Sequence, residues 1–374
     1  MPPTLNVGIL GYGFIGKVHA YAYRCLPFVC DPVPLEARIT HVCTARAETA
    51  RKAAAALGAS RAVTDYRRVT ENPAVDIVHV CTPNHRHKDA LLSAMAHGKH
   101  IYCDKPLVAT EAEADAIEAA LAGYTGTAQM TFNNRFLPAT LEAARLADAG
   151  LLGRVLTFRA AYLHGGNVDP RRPMKWSLSG AAGGGVIADL ASHPLDLMHR
   201  LLGPYERVLA ETAIAHAERP DPADPSRTVA VDAEDAVQML VRMRSGAMGT
   251  IEATKIATGT EDELRFEVYG TGGAMRFDLM QPHYLDVYDA GAPAGRRGWT
   301  RLATGHRYGP PDTQFPSPKA AIGWVRGHVA CLVNFLTAVA EDRPAEPDLA
   351  HGVTVQRLLA RVRESAEKGA WVNV

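Results

Sequence analysis

The sequence has no excess of charge of either sign and no long apolar run. Its 374 residues include 40 basic and 40 acidic side chains, so the formal net charge at pH 7 is zero. Proteins that bind nucleic acid or anionic membranes usually carry clusters of Lys and Arg, and this balance argues against both kinds of partner. No apolar stretch has the length needed to span a bilayer. We therefore expect a globular protein that binds neither nucleic acid nor a membrane.

The cysteines are few and show no pairing pattern. None of the six forms a C-x-x-C pair, and their spacing offers no closed ligand set for zinc: Cys25, Cys30, Cys43, Cys81, Cys103 and Cys331. Small buried thiols are typical of a reducing compartment. The opening MPPTLNVG lacks a charged segment followed by an apolar one. We expect a cytoplasmic protein with no secretory signal and no metal site.

Residues 5–19, LNVGILGYGFIGKVH, predict a strand, a glycine turn and a helix. Leu5, Val7, Ile9 and Leu10 form an apolar run that is typical of a buried parallel strand. Gly11, Gly13 and Gly16 follow with the spacing G-x-G-x-x-G. In this motif the first glycine makes the turn, the second lets a pyrophosphate approach the helix N-terminus, and the third allows close helix–strand packing. The context favours a dinucleotide site over a glycine-rich turn of another α/β protein.

The end of the second predicted strand, residues 39–44, bears on the choice of dinucleotide. NAD-binding proteins of this kind usually have a carboxylate there that holds the ribose 2′-hydroxyl. This chain has Thr44, with Arg46 two residues further on. An arginine can form a forked pair with a 2′-phosphate, which favours NADP over NAD. In the alternative, Arg46 is a solvated residue at a helix start, and Glu48 or no carboxylate contacts the ribose.

Strands alternate with helices through the first 132 residues. Further strands are predicted at residues 76–81, 100–103 and 128–132, and helices at 47–57, 88–97 and 110–121. Thr110 and Glu113 have the spacing of a capping box. The alternation predicts a doubly wound parallel sheet, whose ligands bind at the carboxyl ends of the strands. TPNHRH at 82–87 and DKPL at 104–107 follow two such ends.

The pattern changes after residue 132. Alternating apolar and polar runs predict a large, mostly antiparallel sheet, with strands at 155–162, 208–217, 236–243, 249–255, 263–269, 273–277 and 284–288. Helices are predicted at 138–149, 186–202, 323–341 and 349–369. Residues 26–38, 218–225 and 290–318 are rich in Pro or Gly and predict loops. The last is long, and such loops are often lids or partner contacts.

Taken in order, the motifs resemble those of the Gfo/Idh/MocA family, the glucose–fructose oxidoreductase and inositol dehydrogenase group. They are the glycine motif with His19, TPNHRH, DKP, FNNRFLP and GGG-x-x-x-D-x-x-x-H. The resemblance covers nearly the whole chain and is strongest over residues 5–203. The opening and residues 162–176 look most like members that act on anhydrosugars, inositols and other cyclic polyols.

This resemblance implies an α/β protein of two domains. Residues 1–132 would be a Rossmann dinucleotide-binding domain, and residues 133–374 an α+β domain with an open-faced sheet that carries the substrate site and the oligomer contacts. It implies a homo-oligomer, a dimer or a tetramer, joined through the open sheet face. It also implies a bound nicotinamide cofactor and hydride transfer at a sugar or polyol carbon.

The resemblance also assigns catalytic residues. The lysine of the family's E-K-P motif falls on Lys105, and its aspartate and histidine fall on Asp189 and His193. Two departures stand out: Asp104 replaces the usual Glu, and Pro194 follows the histidine. Helix spacing would place Asp189 and His193 on one face. A residue before proline is pushed away from α geometry, which leaves that arrangement open.

Each of these residues has a role in oxidising a secondary alcohol. His193 would be the general base, because its ordinary pKa lies near neutral. Asp189 would orient the imidazole and stabilise its cation. Lys105 would contact the substrate hydroxyl and the cofactor ribose and favour the alkoxide. The alternatives are a surface lysine after a strand and a helix histidine with ordinary hydrogen-bond partners.

The remaining candidate contacts lie in the same motifs. Predicted cofactor contacts are Gly11, Tyr12, Gly13, Phe14, Ile15, Gly16, Thr44, Arg46, Cys81, Thr82, Pro83, Asn84, His87, Asp104 and Lys105. Predicted substrate contacts are Lys105, Asn133, Arg135, Lys175, Trp176, Asp189 and His193. A structural role for Arg135 and a core position for Trp176 are equally open. Asp196 could bind substrate hydroxyls or cap. His85 and His87 are two residues apart and diverge on a helix, which argues against a shared metal.

These observations predict an NAD(P)-dependent dehydrogenase of sugars, inositols or related cyclic polyols. One alternative keeps the fold but oxidises the 3-carbon of a glycoside, which initiates bond cleavage. Another is a binding protein that senses the nicotinamide and has lost its chemistry. The joint presence of Lys105, Asp189 and His193 argues against the sensor, because a decayed site is free to lose at least one of them.

Overall fold

The computed structural model describes residues 4–305 and 323–374, which divide into two compact units. The first unit contains residues 4–136 and 323–356, and the second contains residues 137–305 and 357–374. Residues 323–356 therefore group with the N-terminal segment. The assignment of functions to residues 1–132 and 133–374 stays a prediction. Among the described helices, none is long and apolar enough to cross a membrane.

The α-helices of the described residues agree in position with most of those predicted. In chain order they are α1 (Phe14–Val29), α2 (Ala47–Leu57), α3 (Arg67–Thr70), α4 (His87–Ala96), α5 (Glu111–Leu121), α6 (Pro138–Asp148), α7 (Ser192–Leu202), α8 (Val325–Ala340) and α9 (Leu349–Lys368). The capping box at the start of α5 is confirmed, because the Thr110 hydroxyl accepts from the Glu113 N–H and the Glu113 carboxylate accepts from the Thr110 N–H.

The strands form one sheet in each unit and a small hairpin. They are β1 (Leu5–Leu10), β2 (Ala37–Cys43), β3 (Arg61–Val63), β4 (Ile77–Val80), β5 (His100–Cys103), β6 (Ala128–Met130), β7 (Val155–Leu163), β8 (Tyr205–Ala213), β9 (Glu218–Pro220), β10 (Thr228–Ala230), β11 (Ala236–Met243), β12 (Met248–Thr254), β13 (Glu263–Gly270), β14 (Gly273–Asp278), β15 (Tyr284–Asp289), β16 (Trp299–Ala303) and β17 (Val372–Asn373).

The first unit is the doubly wound parallel sheet that the sequence predicts. Its strands follow the order β3-β2-β1-β4-β5-β6, and every neighbouring pair is parallel. The strand order reverses between β1 and β4. In such sheets a crevice opens at the carboxyl ends of the two strands that flank this reversal. The glycine turn after β1 and the TPNHRH segment after β4 both lie at that edge.

Helix α1 is longer than the sequence predicts. We expected the chain to become irregular after residue 25 because of Pro27, but the helix continues to Val29 with the proline inside its last turn. Leu26 and Val29 are buried in a core that also contains Leu332 and Phe335 of α8. This burial stabilises the last turn and outweighs the backbone hydrogen bond that Pro27 cannot donate.

The second unit is built on a mixed, mostly antiparallel sheet, as predicted. The order is β16-β15-β14-β13-β7-β12-β11-β8-β17, and only the β7–β12 pair is parallel. Burial alternates along β11, where Val237, Met239 and Val241 are buried and the residues between them are not. Helices α6 and α7 pack on one face of the sheet. The other face carries the exposed half of each strand.

Two segments predicted as loops contain strands. Residues 218–225 include β9, which pairs with β10, and the buried Arg219 guanidinium donates to the carbonyl groups of Asn167 and Asp169. Residues 290–318 include β16, where Arg301 donates to the Asp286 carboxylate of β15 at 2.8 Å. In both cases a paired strand forms despite the nearby Pro and Gly, and one of its arginines also bonds to a neighbouring segment. Residues 306–318 of the second segment lie outside the described residues.

Candidate active site

The glycine turn has the geometry that its sequence predicts. Gly11 has φ +89°, and a Cβ atom there would lie 2.5 Å from the carbonyl oxygen of Cys81. A Cβ atom at Gly16 would clash with the Gly11 carbonyl. Neither position accepts a side chain without moving the backbone. The tight turn after β1 and the close approach of α1 to it are therefore confirmed.

The N-terminus of α1 is suited to an anion. Gly13 is the residue just before the helix, and a Cβ atom there would meet nothing within 4 Å among the described residues. No described side chain caps the first turn. The N–H groups of that turn and the positive end of the helix dipole can therefore receive a pyrophosphate. The residues of this turn fit a dinucleotide cofactor.

The residues after β2 are arranged around a threonine pair. The Thr44 hydroxyl lies 2.6 Å from the Thr49 hydroxyl and 3.0 Å from the Arg46 carbonyl oxygen, to which it donates. The Arg46 side chain is exposed, and no described residue is bonded to its guanidinium. Glu48, the alternative ribose ligand, instead accepts from Lys52 at 2.7 Å. The only carboxylate in this short segment thus already has a cation beside it.

The residues after β4 connect the glycine turn to the next strand. The Cys81 N–H donates to the Leu10 carbonyl at 2.8 Å, which holds the two strand ends together. His87 is buried, and its ring nitrogens lie 2.7 Å from the Thr82 carbonyl oxygen and 3.1 Å from that of Leu107. Burial lowers the pKa of His87, against the opposing effect of these carbonyl groups. The imidazole therefore connects the segment after β4 to the segment after β5. The predicted contact of His87 with the cofactor stays a prediction.

The residues after β5 hold Lys105 by its backbone. One Asp104 carboxylate oxygen accepts from the Lys105 N–H at 2.9 Å and from the Thr131 hydroxyl at 3.0 Å. Burial raises the pKa of Asp104, while the charges of Lys105 and His87 oppose this shift. The aspartate, one methylene shorter than the usual Glu, here accepts from the N–H of the next residue. The role of the Lys105 ammonium stays a prediction.

Asn133 and Arg135 lie on a short 3₁₀ turn, Asn133–Phe136. The Asn133 amide donates to the Asn134 side-chain oxygen at 3.3 Å. The Arg135 guanidinium lies 2.7 Å from Nε2 of His351 on α9. These contacts support the structural alternative for Arg135. The predicted substrate contacts of both residues stay predictions.

In the second unit, Asp189 and His193 lie on one continuous helical segment. A π-helical turn, Ile187–Ala191, runs directly into α7, which begins at Ser192. The Ser192 N–H donates to the Ile187 carbonyl, five residues earlier, and its hydroxyl donates to the Ala188 carbonyl at 2.8 Å. Pro194 has no N–H to donate and sits in the first turn of α7. The wider turn relieves its clash with the preceding turn, so His193 remains helical.

A lysine that the sequence analysis missed forms an ion pair with Asp189. Lys255 follows β12 directly, and its ammonium donates to Oδ2 of Asp189. The Lys255 side chain is 9% exposed and that of Asp189 is 39% exposed. A buried ammonium requires a partner of opposite charge. A lysine directly after a strand of alternating apolar residues was the one signal available in the sequence.

Lys175 lies near this ion pair, and Trp176 is the next residue along the chain. Desolvation is the main cause that lowers the pKa of Lys175, and the nearby positive charge of Lys255 lowers it further. The negative charge of Asp189 opposes this shift. Trp176 begins a 3₁₀ turn and is 44% exposed. The core alternative for Trp176 is therefore wrong. Their predicted contacts with substrate stay predictions.

His193 has a second set of neighbours, which the sequence analysis also missed. The Tyr162 ring meets the buried His193 ring edge-on, with 5.4 Å between centroids. The Tyr162 hydroxyl donates to Oδ1 of Asp262 at 2.7 Å, and Nε2 of His164 lies 2.8 Å from the same oxygen. Burial works to raise the pKa of Asp262, but His164, Tyr162 and the charge of His193 lower it overall. Asp262 is separated from Tyr162 by 100 residues, so no sequence motif joins them.

The predicted residues thus form one group in each unit. The first unit brings the glycine turn, residues 81–87, Asp104 and Lys105 to the carboxyl edge of its sheet. The second unit brings Lys175, Asp189 and His193 to one end of α7, together with Lys255 and Asp262. The first group is suited to hold a dinucleotide, and the second contains the predicted acid–base residues, whose roles stay predictions.

Two family models match the chain. Residues 5–132 match the model described as an oxidoreductase family with an NAD-binding Rossmann fold. Residues 140–276 match the model of the GFO/IDH/MocA C-terminal domain. The matches cover most of both described units and agree with their separate architectures.

Similar proteins include named dehydrogenases. A levoglucosan dehydrogenase of Pseudarthrobacter phenanthrenivorans is 34% identical over 99% of this chain and 98% of its own length. A myo-inositol 2-dehydrogenase of Thermotoga maritima is 25% identical over 78% of this chain and 81% of its own. A solved levoglucosan dehydrogenase in complex with NADH and levoglucosan has a TM-score of 0.94 and 33% identity, with 100% of each chain covered.

Proposed function

The chain belongs to the Gfo/Idh/MocA family of NAD-binding oxidoreductases, and on that premise we propose that it oxidises a secondary alcohol of a sugar or cyclic polyol. The levoglucosan dehydrogenase that is 34% identical along nearly the whole chain carries this proposal. Among candidate substrates, we place anhydrosugars such as levoglucosan first and inositols second. The reverse reaction, reduction of the corresponding ketone, uses the same groups.

The residues of the chain divide the chemistry as follows. When bound, the nicotinamide supplies the hydride acceptor. His193 takes the proton of the substrate hydroxyl at its imidazole, and the Lys105 ammonium favours the alkoxide form of that oxygen. Asp189 keeps its negative charge beside the Lys255 ammonium. The N–H groups at the start of α1 hold the pyrophosphate.

A substrate panel tests this function. The purified full chain is mixed with NAD⁺ or NADP⁺ and with levoglucosan, inositols, aldoses or simple glycosides, and the absorbance of the reduced nicotinamide is followed. We expect turnover with at least one cyclic polyol or sugar, and its loss in the His193→Asn variant. Cofactor binding without turnover across the panel contradicts the proposal and favours the sensor. A glycoside that yields a cleaved product would instead favour oxidation at the 3-carbon.

We further propose that the chain prefers NADP to NAD. Arg46 supports this proposal, because its guanidinium is exposed beside the end of β2 and can pair with a 2′-phosphate. Glu48 is already paired with Lys52, which weakens the case for a ribose carboxylate. The similar levoglucosan dehydrogenase was solved in complex with NADH, so both nicotinamide cofactors need to be compared. Titration with NADPH and NADH, followed by nicotinamide fluorescence, decides between them.

We also propose that a second copy of the chain covers the open face of the nine-stranded sheet. That face contains a groove of about 730 Å³ lined by strands β7, β8 and β11–β13. Leu240 and Met248 are 48% and 54% exposed there. Burying such apolar side chains favours association. Light scattering after gel filtration should give a dimer or tetramer, and Leu240→Arg should shift it toward the monomer; a monomeric wild-type chain contradicts the proposal.

A cytoplasmic location is the last part of the proposal. All six cysteines lie in the described part of the chain as free thiols, and five of them are buried. Free buried thiols are typical of proteins in a reducing compartment. Fractionation of the native host cell, with the chain detected by antibody, tests this location, and recovery outside the cytoplasm contradicts it.

A further inference from the structure

Two carboxylates, Asp189 and Asp262, lie close to His193, and their hydrogen-bond and ionic partners differ. Asp189 has the Lys255 ammonium as its ionic partner. Asp262 accepts from the Tyr162 hydroxyl and the His164 ring. Both of these donors to Asp262 are neutral when His164 is unprotonated. The negative charge of Asp262 therefore has no lysine or arginine bonded to it among the described hydrogen bonds and ion pairs.

Tyr162 is the physical link between Asp262 and His193. Its ring is buried, lies 72° from the plane of the His193 ring and is 5.4 Å from it between centroids. Its hydroxyl ends 2.7 Å from Asp262. The Tyr162 side chain thus reaches from the Asp262 carboxylate to the His193 imidazole. Its ring packs against that of His193 and occupies space that water would otherwise fill.

We infer that Asp262 is a positioning residue that, through Tyr162, holds the His193 ring and stabilises its protonated form. The inference rests on the proposed role of His193 as general base and refines it. In the sequence analysis Asp189 alone was expected to stabilise the imidazolium. The Lys255 ammonium offsets part of the charge of Asp189, whereas the charges of Asp262 and His193 act directly on each other.

The other charged groups on the elements around α7 are compatible with this assignment. Helix α6 contributes Glu142, which pairs with Arg145. On β13, Arg265 and Glu267 line the open face of the sheet, opposite the helices. On α7 itself, Asp196 is buried and its charge acts on Tyr205. At the His193 end lie Asp189 with Lys255 and Asp262 with His164. Lys175 lies there too, and its charge interacts with those of Asp189 and Lys255.

The sign of the effect follows from the charge of Asp262. A nearby anion favours the imidazolium and raises the pKa of a histidine. Removing it should lower the pKa of His193 and make the imidazole a weaker base. The acidic limb of the pH profile for alcohol oxidation would then move to lower pH, and kcat would fall because proton abstraction becomes less favourable.

The experiment measures the pKa of His193 directly. The full chain carries fifteen histidines, so ¹³C-histidine NMR spectra are recorded across pH, and the His193 signal is assigned by its loss in His193→Asn. In Asp262→Asn we expect the His193 pKa to fall by about half to one pH unit. Tyr162→Phe keeps the ring contact but removes the hydrogen bond, and it should give a smaller fall. The acidic limb of kcat/KM should shift with the NMR value.

The matched control is Asp148→Asn. Asp148 also holds α7, through Arg200, but at the opposite end of the helix from His193. It should leave the His193 pKa unchanged. NADH fluorescence and a circular dichroism melt check that each variant is folded; if Asp262→Asn is unfolded, Tyr162→Phe carries the test.

An unchanged His193 pKa in both Asp262→Asn and Tyr162→Phe overturns the inference. A merely structural Asp262 would lower the melting temperature without moving this pKa. Failure of the proposed function looks different, because His193→Asn would then retain turnover, or no substrate would react. The NMR titration still decides the role of Asp262 in either case.

Discussion

Mild acid should destabilise the first unit through a buried histidine pair. His19 on α1 and His79 on β4 face each other with 3.1 Å between their Nδ1 atoms, and the Tyr23 hydroxyl lies 2.8 Å from Nε2 of His79. Both histidines are at most 1% exposed. Burial lowers the pKa of His19 from 6.5 to about 3. Burial, and then the charge of His19, lower the pKa of His79 as well.

The magnitude follows from proton linkage. The unfolded chain takes up a proton at His19 near pH 6.5, whereas the folded chain does so only near pH 3, so the stability is fully present above pH 6.5 and is lost as the pH falls toward 3. Lowering the pH from about 7.5 to about 5 should therefore remove about 2 kcal/mol of unfolding free energy for His19 alone. The full loss, near pH 3, is about 5 kcal/mol.

Hydrogen exchange with mass spectrometry measures this loss in each unit separately. After correction for the intrinsic pH dependence, exchange in peptides from β1, α1 and β4 should accelerate on acidification. Between about pH 7.5 and about pH 5, protonation linked to His19 should account for a factor of about 30 in the exchange rate. Peptides from β11 and β12 serve as an internal control from the second unit. The His19→Gln variant removes the His19 contribution together with its effect on His79, while His41, His87 and His100 are present in both proteins. An equal pH dependence in wild type and His19→Gln would refute the reasoning.

Three further predictions concern the candidate site. His193→Asn should lower kcat by about 10²–10⁴ with unchanged NADH affinity, whereas His199→Asn on the same helix should retain activity; near-normal turnover of the first removes His193 from the mechanism. Arg46→Ala should weaken NADPH binding far more than NADH binding in fluorescence titrations, and equal losses would exclude the phosphate contact. Gly11→Ala should abolish cofactor binding, because its Cβ would meet the Cys81 carbonyl; Gly58→Ala, at φ +71° with open space around it, should lose only about 1–2 kcal/mol of stability and keep binding.

Local signals in the sequence predicted the fold well. The apolar run before Gly11, the glycine spacing and the Thr110–Glu113 capping box each act within a few residues, and the structure contains all of them. The period-two runs after residue 150 likewise predicted the strands of the second sheet. Such features depend on neighbours along the chain, so one sequence is enough to see them.

The parts that sequence reasoning missed depend on residues far apart in the chain. Lys255 and Asp189 are separated by 66 residues, and Asp262 and Tyr162 by 100. Helix α1 continues past Pro27 because α8, some 300 residues later, covers its apolar face. The π turn before Pro194 accommodates a proline in the first turn of α7, which is a local effect. Nothing in the composition of residues 187–191 indicates this wider turn.

The discontinuity of both units has a consequence for synthesis of the protein. Ribosomes add about 5–20 residues per second, so residues 1–136 emerge many seconds before residues 323–356. Through that interval the face of α1 that contacts α8 stays uncovered, with Leu26 and Val29 open to water. The second sheet likewise lacks β17 beside β8 until residues 372–373 emerge. On the ribosome the first unit can therefore complete its core only after residues 323–356 have emerged, and the second sheet can add β17 only after residues 372–373 have emerged.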